Sequence, residues 1–246
     1  MISGKPHVSL WDEAWWRRVS HRTARLWRGV EAQHVVATMK LVDSLAEQTE
    51  LEEILEASKP PAPESAHYLI ATPFRYPSPH ASRFRPSGAM GVWYGAETVV
   101  TACTELGYWR WRFLMDSDGL QENELIVSFT LFAATVQGES LDLSEPPWDA
   151  RRANWTGDDY SVCHQLANAA RQHGVEWLRY WSARDVAGHC GAVFNPLHLS
   201  APELTTQQTW HCKVTASSAF MRHGDDAIAL RFPLQPGEAA STTPRR

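Results

Sequence analysis

The chain has 246 residues, enough for one well-buried core with a modest appended segment. Its apolar and charged fractions, 43% and 21%, are those of an ordinary globular protein, and a formal net charge of −5 leaves no basic footprint, which argues against nucleic acid as a partner. No membrane segment is expected, because the longest apolar run, LIVSFTLFAATV from Leu125 to Val136, is too short to span a bilayer as a helix.

Residues 1–60 read as a helical extension. VEAQHVVATMKLVDSLAEQ sets Val35, Met39, Val42 and Leu45 on one stripe, and TELEEILEA opens with a capping box, Thr49 to Glu52. A helix this apolar on one face needs a partner, either the domain that follows it in its own chain or a second copy, and a homodimer is the favoured expectation. The opening MISGKPHVSL has no apolar core of a secretory signal. SKPPAPES, from Ser58 to Ser65, breaks the pattern and marks a boundary.

Residues 61–235 mix strands and helices. HYLIATPF and GVWYGA read as strands, and a helix follows from near Glu97. The run 125–136 is a buried strand, and PPWDARRANWTGDD is a loop. YSVCHQLANAARQHG is a helix with Val162, Leu166 and Ala170 on one face and Gly174 as its stop. VEWLRYW is the strand after it, and QTWHCKVTASSAF and AIALRFPL form a closing pair. The tail, residues 236–246, reads as disordered. The whole is an α+β or mixed α/β pattern.

Three residues stand at even intervals, Arg83, Tyr94 and Glu105. An Arg fork suits a pyrophosphate, a Tyr ring stacks on a planar heterocycle, and a carboxylate stabilises positive charge developing on a sugar ring. Together they suit a nucleotide whose glycosidic bond is broken. Such residues in a loop and a helix are most often ordinary surface and core positions, since spacing alone is weak evidence of a site. The four cysteines form no C-x-x-C pair, so reduced thiols in a cytoplasm fit. Three Cys/His neighbours, Cys163–His164, His189–Cys190 and His211–Cys212, have poor spacing for zinc, and no metal is expected. Ser182 in RYWSARD lacks a G-x-S-x-G context and is either a nucleophile or a turn serine. Neither a P-loop nor a Rossmann fingerprint is present.

RFRPSG, VWY and ETVVTACTE in this order resemble the motifs of the RES-domain family, named for an Arg, a Glu and a Ser. YSVCHQLANAARQHGVEWLRYWSARDVAGHCGAVFNP is similar to the family's C-terminal block, and the likeness spans about residues 67 to 200. The resemblance implies a fold related to ADP-ribosyltransferases and attack on NAD as substrate, with no resident cofactor. Nicotinamide is released, and phosphate or water accepts the ribose. It implies Glu105, Arg83 and Ser182 as catalytic residues and Arg75, Tyr76 and Tyr94 as substrate-binding residues. It also implies an Xre-type antitoxin partner. Ala81-Ser82 stands where the family often has Gly-Gly, and the stretch from Arg75 to Arg83 is shorter than usual. The first sixty residues and GYWRWRF lie outside the minimal domain. The sequence leaves open a protein-modifying ADP-ribosyltransferase or a non-catalytic interaction protein with the same fold.

Overall fold

A computed structural model describes residues 11–31, 41–60, 67–232 and 241–243. After a 3-10 turn at Glu13–Arg18 come β1 (Ser20–Glu31), α1 (Leu45–Ala57), α2 (Tyr68–Arg75), β2 (Trp93–Ala96), α3 (Val99–Asp116) and β3 (Leu125–Asp142). A second 3-10 turn, Trp148–Arg151, leads into α4 (Arg152–Thr156) and α5 (Ser161–Gln172). The chain then forms β4 (Trp177–Trp181), β5 (His189–Val193), β6 (Gln208–Thr215), β7 (Ser218–His223), β8 (Asp226–Arg231) and β9 (Ser241–Thr243).

The strand order is β1-β2-β5-β4-β3-β6-β7-β8-β9, and β1 also pairs with β3, so the first five strands close into a ring. Strand β3 makes this possible by its length. One edge of β3 is zipped to β1 from Phe129 to Ser140, while its other edge is shared between β6 at Leu125–Leu131 and β4 at Ser140–Asp142. Only the β3–β4 pair is parallel among the described strands.

Period-two alternation explains why β3 reads as a continuous apolar run. Its odd positions Val127, Phe129, Leu131 and Ala133 enter the main core, and its even positions Phe132, Ala134 and Val136 enter a second cluster. All five ring strands feed that second cluster, with Leu26, Trp93, Trp177 and Val193 joining the β3 residues. Gly191 leaves room for it, since a Cβ there would stand 2.4 Å from Leu26 Cδ1. Helix α2 covers the cluster through Leu69, Ile70 and Phe74.

Several sequence expectations are corrected here. Residues 20–31 are a strand of the central ring, not part of a helical extension, so the chain does not divide into a helical segment 1–60 and a separate domain. Long-range pairing with β3 decides that segment, and local helix propensity does not. Helix α1 forms across the expected Thr49 start. The Ser44 hydroxyl accepts the Glu47 amide at 3.2 Å, and the Thr49 hydroxyl donates to the Leu45 carbonyl within the helix, so Thr49–Glu52 is not a capping box. Leu45 and Ile54 are 83% and 59% exposed, so this face is not buried in the chain's own core. Val35 and Met39 lie outside the described residues. HYLIATPF is helical, not extended, because Leu69, Ile70 and Phe74 share one helical face and His67 caps the Leu69 amide. A short apolar run does not distinguish the two states. Trp148 to Thr156 is helical where a loop was expected, and β5 was not foreseen. Within the tail, Ser241–Thr243 pairs with β8; residues 236–240 and 244–246 lie outside the described residues.

Candidate active site

Helix α3 starts where the Thr98 hydroxyl accepts the Thr101 amide at 3.0 Å, and Glu105 lies two turns in. Gly29 on β1 lets the helix come close, since a Cβ there would stand 2.4 Å from Leu106 Cδ1. The Arg110–Glu31 ion pair ties the same helix to the end of β1. A cavity of about 290 Å³ lies between α3 and strands β1 and β2, with Glu105 in its wall.

Ser182, 2% exposed in the turn after β4, donates its hydroxyl to Glu105 Oε1 at 2.5 Å. Ser182 Oγ in turn accepts the amides of Arg184 at 3.1 Å and Asp185 at 3.0 Å. Its proton is therefore committed to the carboxylate and its lone pairs to the turn. That arrangement orients Glu105, and the two amide donors occupy the lone pairs with which the hydroxyl would have to attack as a nucleophile. The turn is pinned to α3 in its turn, because Thr101 Oγ1 donates to Asp185 Oδ2 at 2.7 Å.

Tyr94 and Arg83 meet at the cavity wall but spend much of their polarity on the protein. The Tyr94 hydroxyl bonds Ser82 Oγ at 2.9 Å and accepts the Phe84 amide at 3.0 Å, so it braces the segment that carries Arg83. Burial pushes this phenol up from its ordinary value. Arg83 Nη1 donates to the carbonyls of Trp155 and Gly157, both at 2.7 Å, and its guanidinium lies 4.9 Å from the Tyr160 ring centroid. One arm of the fork thus holds the chain between α4 and α5.

Two further cations line the cavity. Arg28, from β1, donates Nη1 to the Tyr94 carbonyl at 2.9 Å, while its buried Nε has no hydrogen-bond partner among the described residues. Burial pulls this guanidinium down to about 10, and no carboxylate among the described residues pairs with it. Arg184 stacks on Tyr108 at 3.6 Å and donates to Asp158 at 2.8 Å. The cavity lining therefore holds three guanidinium groups and, among the described residues, one carboxylate. Such a wall suits an anionic ligand with one centre of developing positive charge.

Arg83, Tyr94, Glu105 and Ser182 are brought together. Arg75 and Tyr76 are not: they fall at the C-terminal end of α2, Tyr76 is exposed, and neither lines the cavity. The reason is the helical state of α2, which spends its apolar face on the ring interior and leaves its end outside. Sequence reasoning missed Arg28. Its signal was the alternation Leu26, Arg28, Val30 in RLWRGVE, an arginine on the inward face of a strand. No cluster of metal-ligating side chains occurs among the described residues. Burial raises the Cys163 thiol to about 11 and the Cys212 thiol to about 12, so neither is a ready nucleophile.

The RES domain model matches residues 60–215, more than half of the chain. The protein belongs to the RES-domain family. A chain in the crystal structure of the M. tuberculosis MbcT–MbcA toxin–antitoxin complex aligns to the RES protein with a TM-score of 0.46 and 16% identity, covering 83% of this chain and 94% of that one. No curated protein matches the sequence. The RES match begins after β1 and α1, so the strand that closes the ring and carries Arg28 lies outside it. No helix among the described residues is long and apolar enough to cross a membrane.

Proposed function

We propose that this RES protein degrades NAD by cleaving the nicotinamide–ribose bond, with phosphate or water as acceptor, and acts in the cytoplasm as the toxin of a pair whose antitoxin is an Xre-type protein. The observation that carries the reading is Glu105, held by Ser182 at 2.5 Å in a largely apolar cavity whose other charged lining residues are Arg28, Arg83 and Arg184. Nicotinamide leaves a cationic ring as a neutral molecule, so no general acid is required. One carboxylate then suffices where a glycosidase acting on sugars normally uses two. Glu105 stabilises the oxocarbenium-like transition state and holds ribose hydroxyls. Ser182 fixes the carboxylate in place. Arg28, and the arm of Arg83 not spent on backbone carbonyls, face the pyrophosphate, and Tyr94 walls the site at the ribose. A homodimer built through the exposed apolar residues of α1 completes the proposal.

The test is direct. Purified protein is incubated with NAD, with and without inorganic phosphate, and the products are identified by mass. Nicotinamide with phosphorylated ADP-ribose indicates phosphorolysis, and nicotinamide with free ADP-ribose indicates hydrolysis. ADP-ribose found attached to a protein would move the activity to protein modification. Intact NAD under all conditions would sink the reading.

A further inference from the structure

The rim of the cavity carries a group that bond cleavage does not use. Trp109, in the GYWRWRF stretch of α3, lies four residues beyond Glu105 and lines the same cavity, yet 52% of its surface faces solvent. Trp93, Trp148, Trp155 and Trp177, by contrast, are essentially fully buried. The indole is braced where it stands: Tyr108 meets it edge-on at 5.5 Å, and Arg184 covers Tyr108 from 3.6 Å.

A cavity of about 290 Å³ sits at the small end of ligand pockets, which run from about 300 to 1,000 Å³. It has room for one nucleotide-sized half of a dinucleotide. With the ribose at Glu105 and the pyrophosphate among Arg28, Arg83 and Arg184, the second half must leave through the mouth. The planar apolar face there is Trp109. Residues four apart share one face of a helix and stand about 6 Å apart along its axis. A ligand that touches both Glu105 and Trp109 must therefore bend at its pyrophosphate, which is where the cations are.

We propose that Trp109 is the stacking platform for the purine base of the dinucleotide and sets the preference for a dinucleotide over a mononucleotide. This rests on the NAD-cleaving reading given above. Base stacking on an aromatic side chain is tolerant of base identity and strong enough to matter for affinity. The alternative occupant of an exposed indole beside an active site is another protein, which would leave the affinity for purine-bearing ligands unchanged on substitution.

Wild type, Trp109→Ala and Trp109→Phe are compared in NAD cleavage, with ADP-ribose and nicotinamide mononucleotide as competitors. ADP-ribose keeps the purine and the mononucleotide lacks it. Trp109→Ala should raise KM for NAD and the inhibition constant of ADP-ribose by about tenfold. It should leave kcat and the constant for the mononucleotide within about twofold, and Trp109→Phe should restore most of the loss. Equal weakening of both competitors would overturn the proposal, because a general disturbance of the site does not discriminate. Unchanged constants for both would also overturn it. A wild-type protein that leaves NAD intact but binds ADP-ribose more weakly after Trp109→Ala would remove the cleavage reading and keep the platform. Absence of both cleavage and binding would remove both.

Discussion

Ser182→Ala separates positioning from nucleophilic catalysis. The change removes a hydrogen bond to a carboxylate, worth about 1.5–3 kcal/mol, and leaves the Arg184 and Asp185 amides without their acceptor. Ser182 is 2% exposed, so water replaces it poorly, and a stability loss of about 2–4 kcal/mol follows. The kinetic effect is smaller in kind. Glu105 remains, on a helix still anchored by Thr98 and Arg110, but its carboxylate gains rotational freedom. A fall in kcat of about 10- to 100-fold is the scale of a lost orientation, whereas loss of a covalent nucleophile costs about 10⁶. Urea unfolding gives the first quantity and initial rates of NAD cleavage give the second. A folded Ser182→Ala protein with no activity above background would refute the positioning argument. A variant with wild-type kcat would refute it from the other side.

Glu105→Gln keeps the size of the side chain and its bond to Ser182 but removes the charge, so kcat should fall by about two to three powers of ten while KM for NAD changes little; steady-state kinetics decide. Arg28→Met should raise the melting temperature and abolish tight NAD binding together. The folded guanidinium is held near 10, below its ordinary 12.5, so the fold binds its proton less well than the unfolded chain does, and the charge opposes folding throughout the range below about pH 10. The same sign predicts that KM for NAD in the wild type climbs as pH rises through about 10, which a pH series of initial rates at constant ionic strength would reveal. Deleting residues 1–31 should yield insoluble protein, because it strips β1 from β3 along the edge from Phe129 to Ser140; a soluble, active truncation would show that the ring is dispensable.

Sequence legibility followed the range of the forces involved. Helix α5 was readable because its determinants are local, the spacing of Val162, Leu166 and Ala170 and the stop at Gly174, with φ of 75°. Helix α3 was placed within two residues, although Glu97 stands before the Thr98 cap and not in the first turn. Strand β3 was readable from its apolar run, although it extends to Asp142. Strand β1 was not, since its partner β3 lies about a hundred residues away and its flanks read as helical. Helix α2 was misread because an apolar octet has no decisive period. The site shows the same division. The order of Arg83, Tyr94, Glu105 and Ser182 was visible as motifs, but the bond from Ser182 to Glu105 spans 77 positions, and that from Arg28 to the Tyr94 carbonyl spans 66.

Those two long-range bonds join the fold to the chemistry. Arg28 reaches the cavity only because β1 closes the ring, and β1 can close it only because β3 is long enough to pair with β1 on one edge and with β6 and β4 on the other. The inward face of β1 places Leu26 in the ring interior and Arg28 two residues on, where the apolar filling gives way to the cavity. Among the described residues, the ring engages Arg28 only through the Tyr94 carbonyl and the face of Trp93, and no carboxylate offsets its charge. A dianionic ligand would supply that countercharge, so the proposed substrate would stabilise a group whose charge the fold itself disfavours.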